Sequence, residues 1–210
     1  CFEMEREVSS DAAMNIFLNK YSEQMLAKVH NLESIQNSCI VPLPNTGWEL
    51  HDESTTAARE QITLGAVARW DRIKNHESIL ALAEEIKKQS LPWNIQVVTT
   101  IVDSTKKLEM KTRYRELIKI VPPMDHVNLR NFYSQLTIAL LPSHFDVSPH
   151  VVMEAVSVNV PTLISPHVGW VSEYEENDMQ DWIISFDDPK KVIERITLLL
   201  EKESWPETKK

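Results

Sequence analysis

The stretch Asp146-Val-Ser-Pro-His-Val-Val-Met-Glu154-Ala155 decides how this chain reads, because it ends one predicted strand, opens one predicted helix and carries two carboxylates with seven residues between them. Before it, Leu136-Thr-Ile-Ala-Leu-Leu141 is short, apolar and partly β-branched, the pattern of a strand buried on both faces. Pro142-Ser143 stops that strand. The helix is expected to begin near Pro149, whose missing N–H falls where a helix leaves its N–H groups unpaired anyway. The free amides and positive dipole end of such a turn suit an anionic ligand.

A second turn of the same kind lies earlier, in Ile62-Thr-Leu-Gly-Ala-Val-Ala-Arg69-Trp-Asp-Arg-Ile-Lys74-Asn-His-Glu77. Arg69 and Lys74 stand there with four residues between them. In an open parallel sheet ligands collect outside the carboxyl ends of strands, so both turns are expected to face one crevice, where two cations meet two carboxylates. Cations at a helix start oppose the dipole, which favours a ligand anion or an acidic neighbour over plain solvation. Arg offers a planar fork for a diphosphate and Lys a point charge; Arg72 ranks below both on spacing. Glu154 falls about one turn inside its helix beside Val151, Val152 and Ala155, so it needs hydrogen-bond donors, and a structural salt bridge is the alternative to a ligand. Asp146 is also a common turn residue in its own right.

From residue 62 onward strands and helices alternate, which favours a parallel sheet covered on both faces. Strands are expected at Ile95 to Ile101, Ile118 to Val121, Leu136 to Leu141, Thr162 to Ser165 and Trp182 to Phe186. Helices are expected around Ile79, Leu80, Leu82, Ala83 and Ile86, and on a weaker face at Leu108, Tyr114, Leu117 and Ile118. Asp187-Asp-Pro189 supplies a cap and a first-turn proline for a last helix with Val192, Ile193, Ile196, Leu199 and Leu200 as its stripe. Upstream, Met14 to Leu18 reads as a strand, Tyr21 to His30 as a helix with Leu26 and Val29 on one face, and Ile40 to Pro44 as an extended, proline-restricted segment.

The chain has 210 residues with 42% hydrophobic and 25% charged content, ordinary for a globular protein. Its net charge of −9 opposes a broad nucleic-acid surface, which needs clustered Lys and Arg. No apolar run approaches the roughly 20 residues that span a bilayer, and the first residues lack a basic region before an apolar core, so cytoplasm is the expected location. Cys1 and Cys39 lie far apart and outside any Cys/His cluster, which argues against a disulfide framework or a zinc site, and Cys39 is expected to be a small buried hydrophobe. Only three glycines occur, at 47, 65 and 169, too few for a Gly-rich phosphate loop. Gly169 is expected to make a close turn at the cleft, with Glu173 and Glu175 behind it on a solvated face.

The Arg-x4-Lys turn, the carboxylate-x7-Glu turn, and the later Val160-Pro-Thr-Leu-Ile-Ser165 strand with Val168-Gly169 behind it resemble the C-terminal half of retaining GT-B glycosyltransferases, most of all glycosyltransferase family 4. The resemblance covers roughly residues 36 to 203. The chain departs from it in having Asp146 where the family usually has Glu, and Ala68-Arg69 and Val147-Ser-Pro-His150 where it usually has Gly-rich segments. The resemblance implies a Rossmann-like α/β/α domain with a parallel sheet, and transfer of a sugar from a nucleoside-diphosphate sugar with retention. Residues 1–45 would be the remnant of an N-terminal domain and linker, 46–203 the donor-binding domain, and 204–210 a polar tail.

It also implies roles. Arg69 and Lys74 would neutralise the leaving diphosphate, Asp146 would contact the donor sugar and Glu154 the ribose. Val121, in Val121-Pro-Pro-Met124, would pass backbone groups to the base, and Ser148, His150 and Val151 would line the nucleotide. His144 and His150 flank this site as further donors, ahead of His76 and His126. No metal and no cofactor beyond the sugar nucleotide is required. The implied partners are that nucleotide and a missing N-terminal acceptor domain, with peripheral attachment at the inner membrane face, beside a membrane-bound glycan or lipid acceptor of cell-surface polysaccharide synthesis, as an added option. The implied chain is a fragment inactive alone. Alternatives are a non-catalytic sugar-nucleotide-binding subunit and a GT-B relative such as an epimerase or phosphorylase.

Overall fold

The computed structural model describes residues 2–42 and 61–202. Gly47, the end of the expected extended segment at Pro44, the start of the expected donor domain at 46–60 and the expected tail at 204–210 lie outside the described residues.

Two short strands come first. Helix α1 (Phe2–Asp11) leads into β1 (Asn15–Phe17), α2 (Lys20–Val29) and β2 (Ser38–Ile40), and β1 pairs with β2 in parallel, Ile16 opposite Cys39. Asn19 caps α2 by accepting from the Ser22 N–H, while the Ser22 hydroxyl accepts from the Asn19 N–H. Here Val29 departs from expectation: it is 47% exposed, and Ala27 is buried in its place. A two-stranded sheet is too narrow to cover both residues of that face. Cys39 is half-buried, not enclosed.

The main body is an α/β/α sandwich. Its elements are β3 (Ile62–Val67), α3 (His76–Lys88), β4 (Trp93–Val98), α4 (Ser104–Thr112), β5 (Ile118–Val121), α5 (His126–Ser134), β6 (Ile138–Leu141), α6 (His150–Val156), β7 (Thr162–Ile164), α7 (Val171–Glu176) and α8 (Pro189–Glu201). All five strands run parallel in the order β5-β4-β3-β6-β7, with Leu64 opposite both Ile95 and Ile138. The chain therefore winds outward from β3 through β4 to β5, then returns to lay β6 on the other side of β3. One face carries Ile79, Leu82 and Ile86 of α3 against Ile193 and Ile196 of α8; the other carries Phe132 and Tyr133 of α5 against Ala155 of α6. Gly65 lets the sheet come close to Leu136, since a Cβ there would stand 2.3 Å from a Leu136 methyl.

Two expectations fail for local reasons, and two helices appear that were not expected. The segment Trp182 to Phe186 is no strand: Gln180–Trp182 is a 3-10 turn, and the sheet is touched by a single bridge between Ile164 and Ile183. Asp188 caps α8 and Pro189 starts it, so the chain leaves the sheet edge at once. The fourth helix stops at Thr112 without reaching Tyr114 to Ile118, because Ile118 opens β5 and both Leu117 and Ile118 turn their N–H groups to the Tyr114 carbonyl. Helices α5 and α7 were not legible as elements. The signal for α5 was short: Asp125 as a cap, with Leu129, Phe132 and Tyr133 at helical spacing.

Candidate functional site

Both decisive turns lie at the carboxyl ends of β3 and β6, the neighbours at which the winding of the sheet reverses. Hydrogen bonds lace the two turns together. Asn75 Nδ2 donates to the Pro142 carbonyl at 3.1 Å and the His144 N–H to the Ile73 carbonyl at 2.8 Å. Within the first turn Asp71 Oδ1 accepts from the Lys74 N–H at 3.0 Å. Asn75 adopts a left-handed φ of 54°, which Asn tolerates better than most residues.

This lacing brings Lys74 to Asp146. The Lys74 Nζ lies 2.5 Å from Asp146 Oδ2, with the two side chains 21% and 17% exposed. The Asp146 backbone bridges to Val168, and its carbonyl accepts from the Gly169 N–H at 2.8 Å. Gly169 does make the close turn: an added Cβ would stand 1.7 Å from the Val147 oxygen.

The expected meeting of two cations with two carboxylates is not formed. Arg69 extends into solvent, 87% exposed, and reaches Asp71 at 3.8 Å, the carboxylate two residues along its own turn. Arg72 is exposed as well. Glu154, half-buried on α6 beside the buried Val152 and Ala155, accepts from the Tyr133 hydroxyl at 2.9 Å, so neither a cation nor a ligand is needed to supply its first donor. Tyr133 is fully buried; burial first, then the Glu154 charge, push its hydroxyl well above the usual pKa and keep it a donor.

The residues expected to line a nucleotide occupy the same rim. Ser148, His150 and Val151 are half-buried at the start of α6, and Val151 packs on the α5–α6 core. Val121 closes β5, its carbonyl accepting from the Thr99 N–H at 3.1 Å. Pro122 and Pro123 behind it have no N–H, so this loop offers carbonyl acceptors and the Met124 N–H. His144 and His126 are exposed. A cavity of about 30 Å³ near Ser143, Ser165 and His167 has room for about one water and is too small for a nucleotide.

Two residues given little weight in the sequence are prominent here. His76, the first residue of α3, is 2% exposed and stacks on Trp70, ring centroids 4.4 Å apart. Burial lowers its pKa from 6.5 to about 4, against the opposing pull of Asp71 and Glu77 and the Ala68 and Asp71 backbone. Glu173 is not simply solvated, as expected: one carboxylate oxygen is buried, and burial raises its pKa. Its place on α7, which the sequence did not reveal, turns it inward.

Among the described residues no group of three or more His, Cys, Asp or Glu is arranged to hold a metal ion, and no helix is long and apolar enough to cross a membrane.

The five-stranded parallel sandwich and the pairing of the two strand-end turns define a Rossmann-like GT-B domain. The family model described as glycosyl transferases group 1 matches residues 49–210, and the chain belongs to that family. No curated protein sequence matches it. Among solved structures, sucrose-phosphate synthase from Thermosynechococcus elongatus is similar with a TM-score of 0.73 at 18% identity, over 99% of this chain and 54% of its own. The pneumococcal O-GlcNAc transferase GtfA, solved in complex with UDP and GlcNAc, gives a TM-score of 0.64 at 17% identity, over 90% of this chain and 38% of its own. The C-terminal domain of the group 1 family protein LpcC from Francisella tularensis gives 0.55 at 16% identity, over 67% of this chain and 75% of its own. The chain thus spans about half the length of the synthase or less in the other full transferase, and at these identities the likeness is one of fold.

Proposed function

We propose that this chain carries the donor site of a retaining glycosyltransferase and binds a nucleoside-diphosphate sugar across the turns after β3 and β6. The observation that carries the proposal is the Lys74–Asp146 contact of 2.5 Å at the sheet's reversal point. A lysine held there by its own turn is preorganised for a diphosphate, and preorganised charge in a partly dry site stabilises a leaving group better than a solvated cation does. In transfer, the bond between the anomeric carbon and the diphosphate oxygen breaks as an acceptor hydroxyl oxygen bonds to that carbon from the same face. The hydroxyl proton passes to the departing diphosphate, and Lys74 stabilises the charge growing on the leaving oxygen. Asp146 then faces the sugar and Glu154, oriented by Tyr133, the ribose. Arg69, exposed and near Asp71 on its own turn, would close over the diphosphate from solvent.

The acceptor, a glycan or a lipid at a membrane surface, would be bound by a facing domain of which residues 1–45 form the near part. Residues 46–203 would be the donor domain. A second reading, a sugar-nucleotide-binding subunit without turnover, draws on the fact that Asp146 and Glu154 already have partners in the protein.

The test is calorimetry with UDP, GDP, ADP and their glucose conjugates. One base is expected to bind, and Lys74→Ala to weaken it roughly 10- to 150-fold, the worth of a charge-assisted hydrogen bond. Arg69→Ala is expected to weaken it less, since that side chain must be ordered on binding. Unchanged affinity in both variants would remove these cations from the site.

A further inference from the structure

The turn that carries Asp146 is also held from outside the five-stranded sheet. Asn19, at the start of α2, is 7% exposed. Its Oδ1 accepts from the Ser22 N–H at 2.9 Å, and its Nδ2 donates to the Val147 carbonyl at 2.6 Å. One amide thus uses its acceptor on a helix end and its donor on the residue after Asp146. Gly169 completes the packing: a Cβ there would meet the Asn19 Nδ2 at 2.5 Å as well as the Val147 oxygen. The next two residues reinforce the attachment. The Tyr21 hydroxyl donates to the His167 carbonyl at 3.0 Å, and Lys20 pairs with Glu176 at 2.7 Å. Three consecutive residues of the N-terminal segment therefore grip the loops after β6 and β7 and the end of α7.

We propose that Asn19 is a positioning residue for Asp146: by holding the Val147 carbonyl it fixes the carboxylate opposite Lys74. The claim rests on the reading of the Lys74–Asp146 pair as part of the donor site. An aspartate has two rotatable bonds, so the place of its carboxylate follows the place of its backbone, and a contact of 2.5 Å does not survive a backbone drift of about 1 Å. The choice of Asn has a reason. Asp and Ser cap helices as well as Asn does, but Asp has no donor and the Ser side chain is one atom shorter and cannot serve both partners.

That difference supplies the test. Asn19→Ser and Asn19→Asp retain the cap of α2 and remove the donor to Val147. Hydrogen exchange on the full 210-residue chain is expected to show the Gly169 and Asp146 amides exchanging about tenfold faster in both variants, with α2 amides beyond its first turn unchanged. Wild-type exchange at Gly169 in both variants overturns the proposal. Calorimetry with UDP, GDP, ADP and their glucose conjugates gives the second arm. The variants are expected to bind the preferred bare diphosphate as the wild type does and its glucose conjugate about tenfold more weakly. Equal loss for both ligands marks a general structural role and also overturns it. Should the wild type bind none of the six, the donor-site reading falls and the exchange arm alone decides the role of Asn19.

Discussion

Gly169 has room for a hydrogen atom and nothing larger, because the Val147 oxygen and the Asn19 amide both lie where a Cβ would go. The nearest obstacle is backbone, which cannot swing aside as a side chain can. Gly169→Ala is therefore expected to cost about 3 kcal/mol or more, at or beyond the upper end of ordinary overpacking. Urea denaturation reads this directly, and a midpoint within error of wild type would show that the loop after β7 can yield. That Gly169 makes a close turn was legible in the sequence; what it turns against was not, since Asn19 belongs to the far end of the chain. Glu154 teaches the same lesson. The argument that a carboxylate among Val151, Val152 and Ala155 needs donors was sound, but its first donor is Tyr133, on a helix whose own pattern was too short to read.

At the scale of an element, the start of α3 combines three requirements in three consecutive residues: Lys74 faces Asp146, Asn75 turns the chain through a left-handed conformation, and His76 inserts against Trp70. The helix has no side-chain cap, so the stack and the lacing to the β6 turn hold its first turn in place. Burying an imidazole has a consequence for acid stability. In the folded protein His76 takes up its proton near pH 4, in the unfolded chain near 6.5, so below 6.5 the unfolded state binds more protons. The stabilisation is complete above about pH 6.5 and is lost as pH falls toward 4, amounting to on the order of 2 to 3 kcal/mol between pH 7.5 and 4.5. Phenylalanine keeps the stack without the titration. Urea unfolding of His76→Phe across this range is expected to lose that much less stability than wild type on acidification; parallel pH dependence in the two proteins would mean His76 finds room to protonate in place.

For the whole molecule, the order β5-β4-β3-β6-β7 puts the turns after β3 and β6 side by side and so creates the crevice. A transferase must also bind an acceptor, and a cleft needs two walls. Residues 2–42 contribute a two-stranded sheet and two helices, and the start of α2 touches Val147 and His167 in the loops after β6 and β7. The chain spans 54% of the length of the sucrose-phosphate synthase it resembles in fold. The 210-residue chain is accordingly expected to bind the donor and not to transfer its sugar. Incubation of the purified chain with the donor it prefers and glycan or lipid acceptors tests this by release of free diphosphate and appearance of product. Robust transfer would mean that residues 1–45 already complete an acceptor site.

The sequence by itself determined the parallel sheet, the two strand-end turns and the family, because strand runs, caps and the spacing of Arg69, Lys74, Asp146 and Glu154 are local patterns that a linear chain displays. Only the tertiary structure decided who meets whom. Lys74 takes Asp146 while Arg69 stays in solvent, Tyr133 serves Glu154, and Asn19 crosses from the N-terminal segment to Val147. Each of these pairings depends on the distance between elements after packing, where a shift of about an ångström makes or breaks a hydrogen bond, and no sequence interval encodes that distance.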